Sequence, residues 1–114
     1  MAAKFEIKKA TNGQFFFNLK AANGEVILTS EQYKAKASAE IGIASVKKNA
    51  ADDARFVRKT SKNGKPYFVL TAANAEIIGQ SEMYESAKSM ENGIASVKKN
   101  APDGPVKDLT AAAH

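Results

Sequence analysis

A chain of 114 residues with 44% hydrophobic and 25% charged side chains has the size and balance of one globular domain, which argues against intrinsic disorder and against a miniature held by disulfides or metal. Lysine and arginine outnumber aspartate and glutamate by 17 to 12, a net charge of +5 with an isoelectric point near 9.5, which suits polyanions yet lies within the range of ordinary small domains. There is no cysteine, which removes disulfides and thiolate chemistry. There is no apolar run of the ~18 residues a membrane span needs and no signal-peptide core after Met1, so a cytoplasmic protein without a membrane segment is expected.

Phe5 to Lys8 alternates apolar and polar residues and predicts a strand. Asn12-Gly13 is expected to supply the two positive-φ positions of a tight hairpin turn. Gln14 to Lys20 then resumes a strand, with Phe15, Phe17 and Leu19 on one face and Phe16, Asn18 and Lys20 on the other. A turn at Asn23-Gly24 leads to a third strand, Glu25 to Thr29. Ser30, followed by Glu31, reads as an N-cap from which a helix begins. Its buried stripe is Gln32, Lys36, Ala39, Ile43 and Val46, widened by Tyr33, Ala37, Ile41 and Ala44. Lys47-Lys48 complements the helix end, and Asn49 is expected to close it in left-handed geometry. Gly42 sits mid-helix at a cost of about 1 kcal/mol relative to alanine, for which close backbone approach to the sheet or the other helix would compensate. Arg55 to Thr60 predicts a fourth strand.

From Phe56 the chain begins again. A shift of 51 positions aligns Phe5–Asp52 with Phe56–Asp103 without a gap, 26 of the 48 pairs are identical, and Gly42–Ala50 recurs unchanged as Gly93–Ala101. The second copy predicts turns at Asn63-Gly64 and Asn74-Ala75, the latter with its left-handed residue assigned to the asparagine. A strand at Glu76 to Gln80 follows, then a cap at Ser81 with Glu82, a stripe of Met83, Ala87, Met90, Ile94 and Val97, a helix end at Lys98-Lys99-Asn100, and a short strand in Pro105 to Thr110. Two copies are too few for a solenoid. The expectation is an α+β domain spanning residues 1–114, made of two tandem β-β-β-α-β repeats, residues 4–54 and 55–110. The repeats form one antiparallel sheet with two helices packed on one face.

The run Asn12-Gly13-Gln14-Phe15-Phe16-Phe17-Asn18-Leu19-Lys20-Ala21-Ala22-Asn23-Gly24-Glu25, the Ser30-Glu31 pair with Tyr33, and the helix end Gly42-Ile43-Ala44-Ser45-Val46-Lys47-Lys48-Asn49 resemble the YegP-like family of small bacterial domains. The resemblance covers nearly the whole chain, with Ala75 in place of the usual glycine and Pro66 where the first copy has Phe15. It implies three strands, a helix and a fourth strand per unit, with terminal strands exchanged between units. A tandem protein would make that exchange internally and remain a monomer. The resemblance implies no activity and no catalytic residues.

Chemistry finds little purchase. The sole histidine, His114, is the final residue, an improbable place for catalysis or metal binding. Asp52-Asp53 lacks the ligand ladder of a calcium loop, and Ser45 and Ser96 have no internal histidine to activate them. Glu31, Glu40, Glu82 and Glu91 read as solvated helix positions, and the Asn-Gly turns join strand to strand rather than opening a helix as a phosphate loop does. Neither an enzyme, a metal nor a cofactor is expected.

What remains is the sheet face away from the helices, carrying Phe16, Asn18 and Lys20 from one copy and Tyr67, Val69 and Thr71 from the other, with Lys8, Arg55, Lys59, Lys62 and Lys65 nearby. Val26 and Ile77 add an apolar element. The leading reading is a non-catalytic bacterial module binding a protein or small ligand through Phe16, Lys20, Tyr67 and Val69. The alternative is weak, sequence-tolerant binding of single-stranded nucleic acid by the same basic aromatic face. Edge lysines also serve simply to keep a sheet soluble.

Overall fold

Alternation makes Lys4–Lys9 (β1) and Phe15–Lys20 (β2) an antiparallel hairpin in which Phe5 faces Leu19 and Ile7 faces Phe17, all four fully buried. Val26–Thr29 (β3) pairs with β2, and Lys36–Asn49 (α1) follows. The computed structural model, which describes residues 3–110, repeats this order in Phe56–Thr60 (β4), Pro66–Thr71 (β5), Ile77–Gln80 (β6) and Ala87–Asn100 (α2), then ends on Val106–Asp108 (β7). The seven strands form one sheet in the order β4-β5-β6-β3-β2-β1-β7. α1 packs on strands of both copies, and α2 touches β3 as well as β5. The buried cluster accordingly draws on both copies, from Phe5, Phe17, Ile43 and Val46 to Phe56, Phe68, Ile94 and Val97.

Five of the six strand pairings are antiparallel, and β7 beside β1 is parallel. The duplication explains the exception. α1 delivers the chain into β4, which is the counterpart of β1. α2 delivers it toward the equivalent place, already filled by β1, so the closing strand settles one position further out and runs in the same direction. A single position shows the effect on sequence. Ile7 lies under this extra cover and is fully buried, whereas its equivalent Arg58, at the bare opposite edge, is exposed. There it grips Glu91 of α2 through Nε at 2.8 Å and Nη2 at 2.9 Å.

The copies meet at Thr29 and Gln80, the residues that pair β3 with β6. Leu28 and Gly79 are equivalents beside that meeting point. A Cβ on Gly79 would stand 2.7 Å from Leu28 Cγ and 2.8 Å from Cδ2, so a faithful duplicate with leucine in both copies would collide across the pseudo-two-fold axis.

Several local expectations are corrected. The helices begin at Lys36 and Ala87, with Ala35 and Ser86 as N-caps, not at Ser30 and Ser81. The latter two are buried and extend the sheet: the amide of Phe17 donates to Ser30 Oγ at 2.9 Å and that hydroxyl donates to the Glu31 carbonyl at 2.7 Å, with Phe68, Ser81 and Glu82 repeating the pattern. Their hydroxyls stand in for ladder carbonyls. Because the helices start late, Met83 lies outside α2 and is exposed; Ile41 lies within α1 but on its outer face, at 70% exposure, opposite the stripe of Ala39, Ile43 and Val46. Asn49 and Asn100 do not adopt left-handed geometry. Each side-chain amide donates back to the carbonyl of Ser45 or Ser96, and the helices end on right-handed Ala50 and Ala101. The space at Gly42 and Gly93 is taken by side chains rather than backbone, since a Cβ there would sit 2.7 Å from the Tyr33 hydroxyl or 2.3 Å from that of Tyr84.

The hairpin turns also differ from expectation. Each places one residue at positive φ, as in a type I turn closed by a bulge, and the asparagine before it is not left-handed. Asn12, Asn23 and Asn74 instead accept the amide hydrogen of the residue two positions on. At the last of these turns the left-handed residue is Ala75, with φ of 73°. Changing Ala75→Gly relieves that strain, and the expected gain is about 0.5–1 kcal/mol, read as a higher urea midpoint at unchanged slope.

Candidate binding face

The register lays out the uncovered face. One row crosses the sheet through Val57, Val69, Gln80, Thr29, Asn18, Glu6 and Lys107. Lys8 pairs with Phe16 on one side of this row, and Lys59 pairs with Tyr67 at the equivalent place in the other copy. Lys4, Lys20 and Val26 form a further row in the first copy. Asn18 is held by its amide, which donates to Thr29 Oγ1 at 2.9 Å.

Glu6 is the electrostatic centre. Its Oε1 lies 3.0 Å from the ammonium of Lys20 and 3.7 Å from that of Lys8, and its Oε2 lies 3.5 Å from Lys4. The lysine stems screen the carboxylate from water, leaving its side chain 7% exposed. Hydrogen bonding from Lys20 holds its pKa below the usual carboxylate range, against the opposing effect of burial, with help from Lys8 and Lys4. Glu6 therefore stays charged at neutral pH while three ammonium groups surround it, and Lys107 stands opposite on β7. The first copy's half of the face is a positive patch. The second copy has Val57 in place of Glu6, and this half keeps Lys59 but is less charged, with Val57 and Ile77 each 39% exposed.

All four residues singled out by sequence lie on this face. Phe16, Lys20 and Tyr67 are half-buried, while Val69 is only 2% exposed and offers a partner little surface. Phe16 and Lys20 lie together on β2, and Tyr67 and Val69 on β5, separated by β3 and β6. Sequence reasoning passed over Glu6, Lys4 and Lys107. The alternation Lys4-Glu6-Lys8 was a sufficient signal for the first two, since residues two apart on a strand share a face.

The other sequence candidates are structural. Asp53 pairs with Lys98 and Arg58, and hydrogen bonding from Lys98 lowers its pKa. Asp52 Oδ1 accepts from the Ala54 amide. Ser45 and Ser96 each stand 3.2 Å from the amide of an asparagine one turn on. Glu31 and Glu82 line a cleft of about 450 Å³ where β3 meets β6, together with Thr29, Ser30, Gln80 and Ser81. Among the described residues, the carboxylates with shifted pKa values are all shifted downward, Asp108 to about 2 by its hydrogen bond from Lys36. In each case a hydrogen bond from lysine or arginine favours the charged form. His114 lies outside the described residues. No helix among those described is long and apolar enough to cross a membrane.

The family described as "Domain of unknown function (DUF1508)" matches residues 10–56 and again 61–108, one match per copy. The chain belongs to the DUF1508 family. Among curated relatives, the UPF0339 protein YegP of Escherichia coli strain K12 is 56% identical over 110 residues, which is 96% of this chain and 100% of that one. A UPF0339 protein of Bordetella pertussis is 59% identical over 106 residues, covering 93% and 96% of the two chains. Two solution structures share the tandem DUF1508 fold. The UPF0339 protein SO3888 of Shewanella oneidensis superimposes with a TM-score of 0.93 at 50% identity, covering 100% of this chain and 97% of that one. The E. coli yegP protein, described as a protein of unknown function, does so with 0.91 at 56%, covering 96% and 95%. The family assignment from the turn and helix-end motifs is thus established.

Proposed function

We propose that this protein is a binding module acting through the uncovered face of its sheet, and that the ligand class this face suits best is single-stranded nucleic acid. The observation that carries the reading is the pairing of lysine with an outward aromatic at equivalent places in both copies, Lys8 with Phe16 and Lys59 with Tyr67, beside the Lys4, Lys8 and Lys20 cluster. Ammonium groups track a phosphate backbone, while aromatic faces stack on bases irrespective of sequence. No reaction is assigned to the module.

The test is fluorescence anisotropy of a labelled oligothymidylate at two salt concentrations. Binding at low salt that weakens steeply as salt rises, and that is lost in Lys8→Glu/Lys20→Glu, is the expected result. Absence of binding at low salt retires the reading. A second reading, an apolar contact with a protein or small ligand, is favoured by the exposure of Val57 and Ile77. It predicts binding that is insensitive to salt and lost in Val57→Asp.

A further inference from the structure

The β1 and β4 edges of the two copies are equivalent by the duplication, yet among the described residues only β1 is covered. At the β1 edge the chain supplies its own outer strand: the Phe5 amide donates to the Pro105 carbonyl at 2.8 Å, and the Leu109 amide donates to the Ile7 carbonyl at 2.9 Å. At the β4 edge the equivalent of Phe5, Phe56, spends its amide on the Asp53 carbonyl within a short 3-10 turn, Asp53–Arg55. The next position is open. Arg58 stands opposite Phe68 in the β4–β5 ladder, and the amide and carbonyl of Phe68 both point to Ser81 on the β6 side. Arg58 and Phe68 are therefore a non-hydrogen-bonded pair, and the backbone N–H and C=O of Arg58 turn away from β5 toward the open edge.

We infer that the β4 edge is a docking site for an extended acidic peptide segment of a partner protein, which adds as an eighth strand parallel to β4 in the geometry that β7 adopts on β1. This mode uses backbone bonds for affinity and alternate side chains for selection. Charge selects the occupant. On the covered edge Lys107 of β7 stands beside Glu6. At the bare edge the corresponding position is Val57, two residues from Lys59, and Lys62 follows in the turn; among the described residues neither lysine has an ion-pair partner. An incoming strand thus meets Val57 and Lys59 where β7 meets Glu6 and Lys8, so the bare edge keeps the cation but lacks the carboxylate that Lys107 faces. The same charges disfavour a second copy, since pairing two β4 strands would bring the Lys59 ammonium groups of the two copies together.

The experiment is an amide NMR titration of the full chain with two synthetic peptides. One reproduces residues 104–110, and the other carries Lys107→Glu in that segment. The acidic peptide is expected to shift the amides of residues 57–60 and to slow hydrogen exchange at Arg58 by tenfold or more. The unaltered peptide is expected to bind at least tenfold more weakly. In the protein variant Lys59→Glu/Lys62→Glu, at exposed positions and verified as folded by its spectrum, the preference should reverse. Equal binding of both peptides, shifts confined to β2, β3, β5 and β6 with none in β4, no shift at all, or concentration-dependent pairing of β4 with itself would each overturn the inference.

Discussion

Phe17→Ala and Phe68→Ala are each expected to lower stability by about 3–5 kcal/mol, the usual cost of emptying a large aromatic site in a packed core. Both rings are fully buried. Phe17 meets Phe5 edge-on at 6.0 Å between centroids and stacks on Tyr33 at 6.4 Å, and Phe68 repeats this with Phe56 at 5.7 Å and Tyr84 at 6.3 Å. Collapse around the vacated space is restricted, because the sheet lies on one side and the glycine-bearing turns of the helices on the other. Urea unfolding followed by circular dichroism measures the effect. Because the interior is shared, each variant is expected to unfold in one transition, with neither copy surviving the loss of the other's ring. Two separate transitions would mean two independent cores.

The second large effect concerns the axis between the copies. Gly79→Leu restores to the second copy the residue that the first has at position 28, and it is expected to cost about 1–3 kcal/mol through overpacking. The existing Leu28 already occupies the space a Cβ would need. The exchange Leu28→Gly/Gly79→Leu should recover most of that loss, since it moves the large and small partners to each other's places across a pseudo-two-fold axis. A double-mutant cycle by thermal unfolding gives the coupling directly. Additive losses in the double variant would mean that these two positions do not share one space.

Much of the architecture was legible because the copies report on each other. A strand signal at Phe5 or a turn at Asn12-Gly13 gains weight when it recurs 51 residues later. The direction of β7 was not legible, since it depends on β1 already occupying the place to which α2 delivers the chain. Ser30 illustrates a different failure. A serine before glutamate satisfies the rule for a helix start, but its hydroxyl is taken by the amide of Phe17, a partner thirteen residues away that no local pattern reveals.

For the uncovered face, period-two alternation correctly assigned Phe16, Lys20 and Tyr67 to the side away from the helices. It could not foresee how deeply Val69 is covered. That depends on Val57 and Gln80, brought alongside by the β4 and β6 ladders. The contrast between a lysine-rich half and a more apolar half comes from three substitutions between the copies, Glu6 against Val57, Asn18 against Val69 and Lys20 against Thr71, and from Lys107, whose strand has no counterpart beside β4 among the described residues. It becomes meaningful once the register places Lys20 and Lys107 beside Glu6.

Severing the chain between residues 54 and 55 bears most directly on the claim that neither copy has an interior of its own. Each fragment would be studied alone by sedimentation and by thermal unfolding. α1 rests on β5 and β6 as well as on β1 and β2, so each fragment is expected to be unfolded or to recover structure only by associating. A fragment that sediments as a monomer and melts cooperatively would contradict the account.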